Sequence, residues 1–288
     1  MTTITARRRR GNVLTLAMLA FLIYFLMPLF WLFVASTKTT GDLFSSFGLW
    51  FADDFSLLSN VRGTLTYDDG VYVRWLLNTL LYAVTSAGGA ALLAALGGYG
   101  FAKYRFTGNR ALFGLVLGSI MVPTTALAIP TYLLFSKVGL VNTPWAIILP
   151  SLVSPFGLYL MRVYAEDAIP DSLLEAARID GAGEFGIFFK VVLRLLMPGV
   201  VTVLLFTLVA TWNNYFLPLI MLNNPSLYPV TVGLASWSSQ SAAGGGATGD
   251  LLALVVTGSL LSIVPLVAAF LLLQKYWQSG LTTGGVKQ

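Results

Sequence analysis

The spacing of charged residues constrains this chain more than any other feature. Gly11–Thr37, Trp75–Ala102, Ala111–Ser136, Val138–Met161 and Leu251–Gln274 contain no Lys, Arg, Asp or Glu. A bilayer core about 30 Å thick is crossed by a helix of about 20 apolar residues, so each run is long enough to span. Leu195–Gly249 is also uncharged but is too long for one crossing. Up to about Leu222 it is dense in Val, Leu and Phe; from Asn223 it is rich in Asn, Ser, Gly and Pro. The second half therefore reads as an exposed loop after a span. Only 10% of the residues are charged and 57% are hydrophobic, whereas a soluble domain carries about a quarter charged residues. The expected architecture is an all-α transmembrane protein of six helices. Arg7–Arg10 precede the first run as they would in a signal peptide, but signal h-regions span about 7–15 residues. An uncleaved anchor is expected.

Lys and Arg collect on the cytoplasmic side of membrane proteins. With the N-terminus inside, Arg7–Arg10, Lys103, Arg105, Arg110, Arg162, Arg178, Lys190, Arg194, Lys275 and Lys287 all fall inside. Only Lys38, Arg62, Arg74 and Lys137 fall outside. Both termini are thus expected on the cytoplasmic side of the membrane. Prolines occur in several spans, where neighbouring helices can satisfy the freed carbonyls. Gly114 and Gly118 form a GxxxG pair, read as a site of close helix packing.

Several functions are excluded. The chain has no cysteine and no histidine, which removes thiol chemistry, Cys/His zinc sites and His-based acid–base catalysis. Its basic residues lie between apolar runs and form no aromatic-interleaved basic face, so nucleic acid is not an expected partner; membrane lipid is. No Asp, Glu, Lys or Arg lies within a span, which disfavours a membrane enzyme or an ion-coupled carrier. A P-loop is absent too, so energy for active transport must come from another chain.

The segment Ile169–Pro198 is long and amphipathic for a membrane-protein loop. Ser172 and Glu175 have the spacing of a capping box, and Asp180-Gly181 can end the helix they begin. Phe185, Phe188, Phe189 and Val192 recur at i, i+3, i+4 and i+7, one apolar face of a second helix. The pattern fits a helix–turn–helix that docks on a partner through an exposed aromatic face. It fits equally an amphipathic hairpin lying on lipid headgroups.

Glu175-Ala176-Ala177, then Gly181 after three residues, then Val191 and Leu193, resemble the EAA loop (EAA-x3-G-x9-[IV]-x-L-P) of binding-protein-dependent ABC permeases. The string EAARIDGAGEFGIFF is similar to the maltose-G-type subunit of the carbohydrate-uptake branch. Ile129-Pro-Thr-Tyr132, Gly139-Leu-Val-Asn-Thr143, Pro150, Ser154-Pro-Phe-Gly157, Trp212-Asn-Asn-Tyr215 and the tail from Gly280 extend the resemblance from about Asn78 to the C-terminus. One departure is Arg194, which stands where the family loop usually has proline. It could meet an acidic group on a partner or face headgroups.

The resemblance implies a six-helix type I ABC importer permease fold and a non-catalytic role. It also implies a second permease subunit of a different sequence, a dimer of cytoplasmic ATP-binding subunits and an extracytoplasmic solute-binding protein. ATP and Mg would be bound by the partner ATPase, with no cofactor in this chain. Glu175, Ala176, Ala177 and Gly181, with Phe185 and Phe188 behind them, would form the coupling loop. The domain reading is a basic N-terminus at 1–12, a six-span domain at 13–275 containing a coupling loop at 163–194, and a cytoplasmic tail at 276–288. Trp237 and Gly244, Gly245 and Gly246 are candidates for contact with the binding protein, or part of a plain linker. Asn78, Tyr82 and Thr85, and Thr207, Thr211 and Asn214, each follow i, i+4, i+7. They suit a translocation path for a neutral polyol, or hydrogen bonding between helices. The solute class expected from the resemblance is a sugar or oligosaccharide. The alternative is a stand-alone secondary transporter or channel for a small neutral solute.

Overall fold

A computed structural model of the chain describes residues 2–244 and 251–283, with side chains for 14–244 and 251–274. In chain order the helices are α1 (Thr2–Ser36), α2 (Thr40–Ser45), α3 (Leu57–Thr66), α4 (Val71–Lys103), α5 (Asn109–Ile120), α6 (Ala128–Lys137) and α7 (Trp145–Ser151). There follow α8 (Pro155–Ala168), α9 (Asp171–Ile179), α10 (Glu184–Ile187), α11 (Leu193–Trp212), α12 (Phe216–Met221), α13 (Val230–Ala243) and α14 (Leu251–Thr283). No strand occurs among the described residues.

Five helical stretches are long and apolar enough to cross a membrane: Leu14–Ser36, Leu57–Lys103, Trp145–Ala168, Glu184–Trp212 and Leu251–Gln274. The pair Asn109–Ile120 and Thr124–Lys137, bent by 99°, makes a sixth when counted as one broken span. The sequence suggests one straight helix over Ala111–Ser136; the bend corrects that. Pro123 is extended (φ −60°, ψ 126°) at the break and cannot donate a helical hydrogen bond. The next span starts at Trp145 rather than Val138, because Gly139 (φ 71°) and Asn142 (φ 62°) turn the chain first. That span is itself broken at Ser154. Its hydroxyl accepts from the Gly157 amide at 3.2 Å, and Pro155 opens α8 with its φ already fixed.

The chain divides into two compact units. The first comprises residues 1–72 and 234–263. Here Asn60 Nδ2 donates to the carbonyls of Ser36 (2.9 Å) and Lys38 (2.8 Å), tying α3 to the end of α1. Tyr72 OH donates to the Gly258 carbonyl at 2.7 Å. Trp237 stacks on Tyr72 and meets Tyr67 edge-on. Residues 223–250 were expected to be an exposed loop, but α13 occupies much of that stretch. Apolar side chains at Val230, Val232 and Trp237 are buried and offset the poor helix propensity of the serines around them.

The second unit comprises residues 73–233 and 264–288. Its helices approach through small residues. Ala90, Ala91, Ala94 and Ala95 are buried on α4. A Cβ on Gly98 would lie 2.5 Å from Met161 Cβ and 2.6 Å from the Arg162 amide nitrogen. No side chain fits there, so α4 and α8 cross backbone to backbone. Gly157 and Gly199 similarly admit Val203 and the Met161–Tyr164 ridge between α8 and α11. Gly114 and Gly118, by contrast, have open space where a Cβ would be. The GxxxG reading is thus corrected: the close crossings within this chain use glycines outside that motif. Gly98→Val should abolish recovery of folded protein, judged by monodisperse yield in detergent, whereas Gly114→Val should leave yield near wild type.

Candidate functional site: the hairpin at 169–194

The hairpin begins where α8 ends. Helix α9 is capped by Pro170 and starts at Asp171, with no side-chain cap. The expected capping box from Ser172 to Glu175 does not form. Pro170 (φ −67°, ψ 136°) starts the helix earlier and moves Ser172 inside the first turn. Glu175 is thereby left exposed, with no hydrogen bond or ion pair to any described residue. The predicted end of the helix is observed. Gly181 is left-handed (φ 78°), its amide donates to the Arg178 carbonyl, and the Ala182 amide donates to the Ala177 carbonyl, both at 3.0 Å. This pair of bonds is a Schellman closure, and it turns the chain directly into α10.

The two faces of α9 have different environments. Leu174, 2% exposed, and half-buried Ala177 face a cluster formed by Tyr99, Met161, Ala165, Ile187 and Phe188. Glu175, Ala176 and Ile179 are exposed on the other side, Ile179 at 86%. Gly181 is exposed at the tip.

The expected aromatic face of the second arm is divided. Phe185 is 80% exposed, but Phe188 is 3% exposed and packs at 5.7 Å on the ring of Tyr99. Phe188 is therefore a core residue that seats the hairpin, which corrects its place on an exposed face. A π-helical stretch at Phe188–Val192 joins α10 to α11, and in it Phe188 and Val192 are buried while Phe189 stays exposed. From Glu184 to Trp212 the chain is one continuous 29-residue helical run. Arg194 lies exposed within it, and Pro198, not a proline at 194, sits inside α11.

Polar contacts that sequence reasoning missed brace the hairpin. Lys103 Nζ lies 2.8 Å from Asp171 Oδ1. That hydrogen bond and charge hold the Asp171 carboxyl below the usual carboxylate range. Tyr104 OH donates to Glu184 Oε2. Arg178 Nε donates to Glu184 Oε1 at 2.8 Å and Nη2 to Oε2 at 3.3 Å, joining the two arms. The end of α4 and both arms are thus linked. Burial and the Glu184 contact push the Tyr104 phenol up. The one available signal was the placement of Lys103-Tyr104 directly after a span on the same side as the loop.

The candidate path residues are mostly committed elsewhere. Asn78 Nδ2 donates to the carbonyls of Ser226 (2.8 Å) and Tyr228 (3.1 Å), and Tyr82 OH to that of Leu227 (2.9 Å). Trp75 Nε1 donates to the Pro225 carbonyl, and Thr79 Oγ1 accepts from the Val230 amide. Together they pin residues 225–230 along α4. Thr85 is exposed; Thr207 and Thr211 are buried; the Asn214 carbonyl accepts from Thr231 Oγ1 at 2.8 Å. Asn142, which carries no signal of this role in the sequence, is a connector. Its Oδ1 accepts from the amides of Asn223 and Asn224, both at 2.9 Å. Trp237 is 2% exposed and cannot anchor a partner, because its ring fills the core of the first unit. Gly244 is half-buried; Gly245 and Gly246 lie outside the described residues. The tail begins as helix, since α14 continues to Thr283, and 284–288 lie outside the described residues.

The family of binding-protein-dependent transport system inner membrane components matches residues 87–281, which include the whole hairpin. The chain belongs to this family. It is a multi-pass inner-membrane permease subunit and is not itself catalytic. The permease is 33% identical to the arabinooligosaccharides transport system permease protein AraQ of Bacillus subtilis (strain 168) over 275 residues, 95% of each chain. It is 32% identical to the maltodextrin transport system permease protein MdxG of the same organism, covering 83% of this chain and 82% of that one. Its fold matches a chain of a bacterial ABC transporter involved in the import of the acidic polysaccharide alginate, with a TM-score of 0.81. The match covers 94% of the permease and 98% of that chain at 24% identity, and it shows the six-helix importer permease fold.

Replacing Leu174 or Phe188 by Ala should destabilise the permease by about 2–5 kcal/mol, the range for large-to-small changes in a packed core. Phe185→Ala should change stability by less than about 0.5 kcal/mol, as exposed substitutions do. Thermal unfolding of the purified permease checks both.

Proposed function

We propose that this permease serves an ATP-driven importer of sugars or oligosaccharides, and that the 169–194 hairpin couples it to a partner ATPase. The observation that carries the reading is the outward face of α9. Glu175, Ala176 and Ile179 project from a helix whose opposite face is buried and whose ends are braced by Lys103–Asp171 and Arg178–Glu184. A carboxylate with no partner among the described residues, beside a small residue and an exposed apolar one, is suited to docking in a cleft with a basic group. A braced lever of this kind transmits displacement to α11, because the second arm continues into that helix without interruption.

With the bent pair α5–α6 taken as one crossing, both termini and the hairpin fall on one side of the membrane, and the distribution of Lys and Arg supports the cytoplasmic side. The partner ATP-binding subunits would bind ATP and Mg, and their closure would move the hairpins and switch the cavity between inward- and outward-facing states. A second permease chain would complete that cavity. A solute-binding protein would deliver the solute from outside, meeting the segment around Gly244, without Trp237. Thr85, Thr207, Thr211 and Asn214 are proposed to border the solute path, with Asn78 and Tyr82 holding its wall. The names of the relatives, which concern arabinooligosaccharides and maltodextrin, support a carbohydrate solute.

Glu175→Lys in the reconstituted transporter should lower ATP-driven uptake at least about tenfold, equivalent to roughly 1.4 kcal/mol of lost docking free energy. Membrane insertion and thermal stability should remain unchanged. Uptake at the wild-type rate would overturn the coupling role.

A further inference from the structure

An open groove of about 600 Å³ lies where α4 gives way to α5. Among its lining residues are Phe101, Arg105, Phe106, Arg110, Arg162 and Glu166. Three arginines therefore face one glutamate. Arg162 is held in place: its Nη2 lies 3.0 Å from Glu166 Oε1, and its guanidinium carbon sits 3.8 Å from the centroid of the Phe113 ring. Arg105 and Arg110 are exposed and form no hydrogen bond or ion pair with any described residue, although the charge of Arg105 reaches Asp171. Asn109 Nδ2 donates to the carbonyls of Phe101 and Tyr104, both at 3.2 Å, fixing the rim. Helix α5 starts beside it after Gly108 with no side-chain cap, so its positive end adds to the same field.

We propose that this groove binds the phosphate headgroup of an anionic phospholipid, with Arg105 and Arg110 as the free donors and Arg162 as a prepositioned third. Guanidinium groups match phosphate oxygens in paired hydrogen bonds, and two of the three here bond no described residue. The level in the membrane selects lipid over soluble phosphate. One spanning helix ends at Lys103 and the next begins at Asn109, so the groove opens at the depth where apolar core gives way to headgroups. Phe106, Leu112 and Leu115 are exposed from the groove along α5 and offer an apolar surface to the acyl chains. The inference depends on the membrane-spanning architecture and is independent of the solute and of the coupling role.

The test uses the assembled transporter in nanodiscs of phosphatidylglycerol and phosphatidylcholine in equal parts. After extraction into lipid-free detergent, mass spectrometry reads the ratio of the two lipids that stay bound. Wild type should retain phosphatidylglycerol in preference. The double variant R105Q/R110Q should lower the ratio about tenfold, roughly 1.4 kcal/mol. R105K/R110K should keep most of it, and Arg194→Gln, an exposed arginine outside the groove, should leave it unchanged. The single variants R105Q and R110Q, each expected to lower the ratio, decide the matter should the double variant not assemble. Absence of a wild-type preference, an unchanged ratio in the glutamine variants, or an equal drop in Arg194→Gln would overturn the site. Loss of the preference on adding inorganic phosphate at constant ionic strength would show a soluble-anion site and overturn the lipid assignment.

Discussion

The crossing of α4 and α8 at Gly98 governs much of what surrounds the hairpin. Because no side chain stands between the two backbones there, Tyr99 and Met161 come together in one cluster with Ala165. That cluster is the floor on which Leu174, Ile187 and Phe188 are buried. The same crossing brings the end of α4 to the hairpin, where Lys103 and Tyr104 meet Asp171 and Glu184. Without the close approach the hairpin would lose both its apolar seat and its polar braces. Burial supplies the cohesion, since exposed ion pairs contribute little individually. The braces instead fix the direction in which the outward face of α9 points.

Two kinds of order coexist in the permease. The spans meet lipid with long apolar side chains and meet each other with Gly and Ala. That division suits a solvent as apolar as the helix surfaces, in which close contact and hydrogen bonds must supply the specificity. The connection at 225–230 uses the second resource. Trp75, Asn78, Thr79 and Tyr82 each bond a backbone group of that segment, so the connection between α12 and α13 has polar groups satisfied by side chains of α4. Four polar side chains on one helix face thus hold a wall in place, which is a different task from touching a solute.

Much of the architecture was legible because charge spacing and the length of apolar runs are one-dimensional signals. The spans, the left-handed Gly181 and the two-armed hairpin follow from them directly. What was not legible depends on which face of a helix finds a neighbour. Phe185 and Phe188 belong to one stripe in sequence, yet only Phe188 packs on the ring of Tyr99, and Phe185 stays at the surface. Trp237 lies among serines and glycines that suggest a loop, but Tyr67 and Tyr72, more than 160 residues earlier in the chain, enclose it. The braces of Glu184 were hidden for the same reason: Tyr104 is 80 residues away. The bend between α5 and α6 was not legible either, since a proline such as Pro123 is tolerated within a span and does not by itself announce a break.

The central claim is that the outward face of α9 is a docking surface for a cytoplasmic ATPase. The chain contains no cysteine, so Ile179→Cys introduces a single addressable thiol at an exposed position of that helix. The decisive measurement is its rate of modification by a membrane-impermeant thiol reagent, in inside-out vesicles, with and without the ATP-binding subunits. The account predicts rapid modification of the permease alone and strong protection once the ATPase dimer is bound. Equal rates in the two preparations, or modification only from the outer face, would contradict it.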